Sequence, residues 1–462
     1  MSIVNNKKKK KHQSRQLKIF NFWKGNNRDR FLLFGIIGGI WLFIKALEEF
    51  VPNQILVKLP SDVSLTLLGL VILIMVIHAV FIFFAQSHHR RNPRELSGTY
   101  QPSIDIFISA HNEQSVIGAT LEYLLEKIKY PDLKIYIIND RSIDQTRDII
   151  ESIAARSMGK IIVINRHEDA FPGKAAALND ALKVSNGEVV CVLDADARIG
   201  PEFLSHIVSY LDDPLVAAVQ AQKVISNPEY NFLARQQLHE YAMDTYLQMG
   251  RDSIRGSVEL RGNGQLIKRS ALEDVDGWNE ETLTDDLDLS TSLHINGWDI
   301  RFSPENQVYE EAVTSIQGFI KQRRRWAEGS MRRYLNYFLQ LMQPGNLTLN
   351  QIFDSFVFLG EFSIPLWLSL DVIYEVIRFL GGRETYISFL MLLSIGMSFI
   401  LGNSIFNGLR IYKGQKVFEA LVNSFIGIGY ITFTWTFIIM ITYRKILFSR
   451  TVGTWTRSIK GQ

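Results

Sequence analysis

Cysteine is almost missing: 462 residues contain one, Cys191. A single thiol excludes a disulfide framework and any zinc site built from several cysteines. Cys191 lies inside the apolar run VVCVL and reads as a small buried hydrophobe. The nine histidines form no H-x-x-x-H or similar cluster, which argues against a histidine metal centre. Two phosphate cradles are missing as well. No G-x-G-x-x-G follows the first strand-like run and no G-x-x-x-x-G-K-[ST] occurs, so dinucleotide-oxidoreductase and P-loop readings lack their loops. A large excess of one charge is also lacking. The formal net charge is +3, so the molecule is no general nucleic-acid binder, and its basic residues matter by position.

What the chain does have is long apolar runs. Hydrophobic residues make up 47% of it. Runs 31–48 and 63–85 are long enough to cross about 30 Å of hydrocarbon. The first begins far behind the KKKKKH segment, and no small-residue cleavage site precedes it, so it does not read as a cleaved signal peptide. Lys7–Lys11 stand before the first run and SHHRRNPR follows the second, which puts both flanks in the cytoplasm. Three further apolar runs cover 352–377, 386–408 and 418–442. LRIYKGQK and the tail after 442 are both basic, and one crossing at 418–442 cannot keep both inside. Either that run is a hairpin or re-entrant, or one basic loop breaks the rule. The expected total is five or six spans. Segment 313–342 mixes arginines with Trp, Phe, Tyr and Leu, as an interfacial amphipathic helix does. Asp371 and Glu375 fall near the end of a span, where a charge can reach water.

The expected organisation is a basic N-terminus (1–30), two spans (31–86), a cytoplasmic domain (97–312), interface helices (313–342), and a C-terminal membrane region with a basic tail (343–462). In the cytoplasmic domain SIDIFISA, KIYIIND, KIIVINR, EVVCVLDAD and AAVQAQ are short Ile/Val-rich runs. Helix-length segments at 113–128, 143–157 and 174–185 separate most of them. That alternation predicts an α/β, Rossmann-like domain with a mostly parallel sheet. Ligands of such a sheet sit at the carboxyl ends of the strands. SAHNE, NDRS and DADA end three of these strands and open on one edge.

Asp194 and Asp196 are two apart on an extended backbone, so both side chains turn the same way. Hard oxygen ligands there suit Mg²⁺ or Mn²⁺ shared with a diphosphate; a helix cap beside a solvated aspartate is the plainer account. Gly173-Lys174 opens a helix, a place that favours anions. Asp285, Asp286 and Asp288 follow Thr284. The cluster is an N-capped first turn and also a source of a general base, since crowded carboxylates raise one another's pKa. In QRRRWAEG, the guanidiniums fit either lipid headgroups or a leaving diphosphate. Trp278 and Trp298 read as turn-packing aromatics.

The order SAHNE, NDRS, DAD, TDD, QRRRW between apolar runs resembles the membrane-bound family 2 glycosyltransferases, which include cellulose, hyaluronan and poly-N-acetylglucosamine synthases. Two motifs depart from the usual form: Asn139-Asp140 stands for a pair of aspartates, and Thr284-Asp285-Asp286 for Thr-Glu-Asp. The resemblance implies a glycosyltransferase-A (nucleotide-diphospho-sugar transferase) fold between membrane helices, a UDP-sugar donor, Mg²⁺ or Mn²⁺, and inversion at the anomeric carbon. It implies that Asp140, with Glu113 and Lys174 nearby, meets the uracil side. Asp194 and Asp196 would hold ribose and the metal–diphosphate, with Asp196 on the metal. Asp286 would be the base, and Gln322, Arg325 and Trp326 would close over the diphosphate and acceptor. Gly262, Asn263, Gly264, Gln265 and Asp285 would face the acceptor. The stretch from Glu259 to Ser290 is similar to the cyanobacterial type of diacylglycerol glucosyltransferase, which implies glucose moving from UDP-glucose to diacylglycerol at a bacterial plasma membrane or thylakoid. A processive polysaccharide synthase is the competing reading; a non-catalytic scaffold is disfavoured by the intact set of acids.

Overall fold

The computed structural model describes residues 100–341, 343, 345, 347–382 and 389–448. The runs expected to span at 31–48 and 63–85, the basic N-terminus and the tail beyond 448 lie outside the described residues.

Strand and helix alternate first: β1 (Ile104–Ala110), α1 (Ile117–Lys127), β2 (Leu133–Asn139), α2 (Thr146–Ala155), β3 (Ile161–Asn165), α3 (Lys174–Val184) and β4 (Val189–Leu193). Each of these elements falls within one residue of a segment the sequence pattern marks. The four strands are parallel, in the order β3-β2-β1-β4. Helices cover both faces, so each strand is apolar throughout rather than alternating. In β1, Ile106 and Ile108 enter one core while Phe107 enters the other. Cys191 is fully buried in β4, as its setting predicts.

The second half is less regular: β5 (Arg198–Ile199), α4 (Phe203–Ile207), β6 (Val216–Ile225), α5 (Phe232–Ser253), β7 (Gln265–Lys268), α6 (Arg269–Asp274), α7 (Asp285–Ile295) and β8 (Asp299–Glu310). β7 slots between β4 and β6 and is antiparallel to both, so the eight-stranded sheet is mixed rather than mostly parallel. The reversal depends on Gly264. Its φ is +70°, and a Cβ there would lie 2.5 Å from Val308, so only glycine fits.

Four long helices follow: α8 (Ile316–Leu341), α9 (Leu349–Leu380), α10 (Phe389–Tyr412) and α11 (Val417–Phe448). α11 is one continuous helix of 32 residues, which corrects the hairpin alternative for 418–442. Among the described residues it is the one helix long and apolar enough to cross a membrane. α8 is a single helix that buries Phe319, Ala327 and Met331 against Phe362, Ile438 and Ile439. It approaches α7 closely: a Cβ on Gly329 would lie 2.5 Å from Thr284. That contact explains the glycine ending QRRRWAEG, and it sets the arginines over the sheet edge.

A buried ionic cluster joins these helices to the domain. The Glu259 carboxylate meets Arg333 at 2.8 Å, Arg261 at 2.8 Å and Arg251 at 3.4 Å. Arg251 also reaches Asp354 of α9 at 3.1 Å, and Arg261 reaches Asp244 of α5 at 2.6 Å. Burial alone would push the Glu259 carboxyl upward; Arg333, Arg261 and Arg251 instead hold it well below the usual range.

Candidate active site

The carboxyl ends of β1 and β4 open into a cavity of about 470 Å³. Its polar end brings together Glu113, Lys174, Asp194, Asp196, Gly262, Asp285, Asp286, Gln322, Arg325 and Trp326. These come from six separate stretches of chain, all singled out by the sequence.

Lys174 is the hub. It starts α3 directly after Gly173, and its Nζ donates to Asp194 Oδ1 at 2.5 Å and to the Gly262 carbonyl at 2.7 Å. Burial opposes its charge, yet Asp194, Asp285 and Asp286 together raise its pKa. Asp194 is oriented from behind, where its backbone N–H donates to Asn263 Oδ1 at 3.1 Å. Asp196 Oδ2 accepts from the Glu311 N–H at 3.4 Å.

Thr284 is the N-cap residue of α7, and Asp285 and Asp286 fill its first turn. Asp286 Oδ1 accepts the Leu287 N–H at 2.8 Å. Its Oδ2 lies 3.0 Å from where a Gly262 Cβ would stand, so a side chain at 262 would crowd it. Burial, then the charge of Asp286, pushes Asp285 up to about 6, against Lys174 and Arg325. Asp285 Oδ2 and Arg325 Nε are both buried without a hydrogen-bond partner. Two orphaned groups of opposite charge at one cavity wall mark a place for a polar ligand. Arg325 Nη1 donates to the Leu283 carbonyl at 3.2 Å, and burial lowers its pKa. Asp288 takes no part: it is buried away from the cavity, with Tyr337 donating to it at 3.1 Å.

Several residues stand behind the wall. Asp140 is 2% exposed and does not line the cavity. Its carboxylate meets Arg166 at 2.7 Å and Arg141 at 2.8 Å. Of the loop 262–265 only Gly262 lines the cavity. Asn263 is buried between the Asp194 N–H and Glu310, and Gln265 Oε1 accepts the Gly262 N–H at 3.2 Å. Trp278 is core, and Trp298 Nε1 donates to Asp274 at 3.0 Å.

Arg323 corrects the headgroup alternative. It is fully buried, paired with Glu240 of α5, and its guanidinium stacks 4.1 Å over Trp326 and 4.6 Å over Phe319. It braces the tryptophan instead of facing lipid. Glu240 also accepts from Trp435 Nε1 of α11 at 3.0 Å. The sequence reading missed both Glu240 and Trp435; each lies on a long helix with no motif around it. Trp435 belongs to the other end of the cavity, which is apolar. Met243 and Leu247 of α5, Phe362, Leu401, Ile431 and Ile439 line it, with Ser398, Thr432 and Thr436 interspersed.

The family described as "Glycosyltransferase like family 2" matches residues 102–329. The "Beta-monoglucosyldiacylglycerol synthase" of Trichormus variabilis is 35% identical over 370 residues, covering 79% of this chain and 76% of that protein. The chain belongs to the family 2 glycosyltransferases. A "Poly-beta-1,6-N-acetyl-D-glucosamine synthase" of Staphylococcus epidermidis is 28% identical over 278 residues, covering 59% of this chain and 66% of that one. A solved mannosyltransferase from Pyrobaculum calidifontis, in complex with GDP-Man and Mn²⁺, superposes with a TM-score of 0.52 at 17% identity. It covers 83% of this chain and all of that one. The mixed sheet is thus a glycosyltransferase-A fold, and this glycosyltransferase is a nucleotide-sugar-dependent hexosyltransferase.

The Asp285/Asp286 pair predicts the acid limb of its pH profile. A carboxyl raised to about 6 takes up a proton as pH falls through 6, and the pair then carries one negative charge fewer. Turnover should be level above that value and change below it, where Asp285 becomes neutral. Asp285→Asn removes the titrating carboxyl and should abolish that step. A pH–rate series on both proteins checks this; a step that persists in the variant assigns it to another group.

Proposed function

We propose that this glycosyltransferase moves glucose from UDP-glucose to the free hydroxyl of diacylglycerol at the cytoplasmic face of a bacterial membrane, giving β-monoglucosyldiacylglycerol. One observation carries the reading: the cavity runs from the charged sheet edge to a mostly apolar lining from α9, α10 and α11, where Glu240 of α5 is held by Trp435. A charged donor and a two-tailed acceptor need such a gradient, and the names of the relatives point the same way. On this reading 97–312 is the catalytic domain, 313–342 seats it on the bilayer surface, and the flanking apolar segments hold it in the membrane.

UDP-glucose enters at the polar end. The uracil lies toward the SAHNE and NDRS loops, with Glu113 beside it; Asp140 acts through Arg166 and Gly173, which it holds in place. Lys174 and Arg325 face the diphosphate and offset its charge as the leaving group departs. Asp286 accepts the proton of the acceptor hydroxyl while that oxygen bonds to the anomeric carbon. The bond from this carbon to the diphosphate oxygen breaks on the opposite face, and UDP leaves with the electron pair. Trp326, held by Arg323, covers the sugar, with Gln322 beside it. Asp285 and Gly262 face the acceptor.

The donor set fits a divalent cation. The side chains at the sheet edge offer mainly carboxylate oxygen, His111 holding its Nδ1 on the Asp140 carbonyl at 2.6 Å, and no group of three His, Cys, Asp or Glu among the described residues would hold a cation unaided. Asp196 would therefore hold Mg²⁺ or Mn²⁺ jointly with donor oxygens, and the cation would supply Lewis-acid stabilisation of UDP.

The experiment supplies membranes containing the protein with radiolabelled UDP-glucose, with and without diacylglycerol, and separates the products. A lipid-soluble adduct of one hexose is expected. Long sugar polymer with the added lipid untouched would establish a processive polysaccharide synthase instead.

A further inference from the structure

The composition of α11 and its contacts disagree. A crossing helix carries about 20 consecutive residues through hydrocarbon, below the level of helices that lie at the bilayer surface. α11 contains no such stretch. Near its start Ala420 packs with Ala242 of α5, and Gly427 lies against His239. The Tyr430 ring meets Phe232 of α5 at 6.5 Å and Phe319 of α8 at 6.0 Å. Trp435 bonds Glu240, Ile438 and Ile439 pack with Phe319 and Met331, and Lys445 reaches Glu328 of α8 at 2.7 Å. From residue 420 to 446 the helix follows α5 of the catalytic domain and then α8, with α9 and α10 as its other neighbours.

The opposite side of α11 is bare and greasy. Phe418, Val422, Phe425, Phe433 and Phe437 form one stripe at helical spacing, with Phe425 69% and Phe433 78% exposed. Basic residues bracket the stripe: Arg410, Lys413 and Lys416 before it, Arg444 and Lys445 at its end. An apolar stripe between cationic ends matches a leaflet carrying anionic headgroups.

We infer that α11 does not cross the bilayer but lies in its cytoplasmic surface, with the phenylalanine stripe sunk into a leaflet containing anionic lipid. This rests on the membrane half of the proposed function and leaves the acceptor open. It removes a conflict in the charge pattern, because an in-plane helix keeps the basic loop before it and the basic segment after it on one side. It also makes α11 the floor of the apolar end of the cavity, so an acceptor enters beside it from the leaflet.

The sole native thiol, Cys191, is fully buried and silent toward a reagent in water. Lys416→Cys and Phe448→Cys, both exposed and outside the cavity lining, bracket the helix. Each variant is treated with a membrane-impermeant maleimide in sealed inverted vesicles and in right-side-out vesicles, with labelling after detergent denaturation as the total. Retained glycosyl transfer shows that each variant folds. Both positions should react in inverted vesicles and be protected in the others. Reaction from opposite sides, or from neither, overturns the inference. Labelling does not depend on which acceptor is used, so polymer formation would sink the glycolipid reading alone.

Discussion

Asp286→Asn should reduce turnover about 10²- to 10⁴-fold, the range of a lost general base. Asparagine keeps the shape of the side chain, and its Oδ1 can still accept the Leu287 N–H that Asp286 holds at 2.8 Å. The helix start and the Gly262 contact therefore survive. What disappears is the lone pair basic enough to take a proton. Lys174 and Arg325 each lose one of several anionic neighbours and keep others, so nucleotide-sugar affinity should be unchanged. Single-turnover kinetics combined with calorimetric titration of UDP-glucose separate the two effects. Turnover near the wild-type rate would remove Asp286 from the role of base and pass it to Asp285, whose raised pKa also suits proton transfer.

Glu259→Ala should cost about 3–5 kcal/mol of stability, the usual penalty for breaking a buried ion cluster from one side. The carboxylate is 4% exposed and stands among Arg251, Arg261 and Arg333. Alanine leaves three guanidiniums close together in the interior without the charge that separates them. Asp354 and Asp244 keep Arg251 and Arg261 partly matched; Arg333 has lost its carboxylate. The expected readout is a lowered unfolding midpoint in detergent, with donor binding lost in the same transition. A midpoint equal to wild type would mean that water reaches the cluster.

The parallel half of the sheet was legible because its strands are buried on both faces and therefore spell continuous Ile/Val runs, as VVCVL does in β4. The second half was not. β7 is only four residues, QLIK, half of it polar, and nothing in so short a run announces that it runs backwards. The charged corner of the cavity was readable from motifs, since Lys174, Asp194 and Asp286 each sit at a helix start or a strand end. Loop 262–265 was readable only as a neighbourhood: Gly262 lines the cavity, whereas Asn263 and Gln265 hold other residues in place. The triple arginine was ambiguous because sequence cannot say which side chains of a helix face protein. Arg323 points inward to Glu240, a partner 83 positions away.

The placing of β7 also constrains the order in which the molecule assembles. β4 and β6 cannot pair with each other; both must wait for a short strand that comes later in the chain than either. Closing that gap brings distant segments together, a slow step for any chain. The same closure seats Gly264 on Val192 and Asn263 on Asp194, at 2.9 Å and 3.1 Å. The sheet and the wall behind Asp194 are thus completed together, while Asp286 and Arg325, which follow β7 in the chain, join the pocket only afterwards.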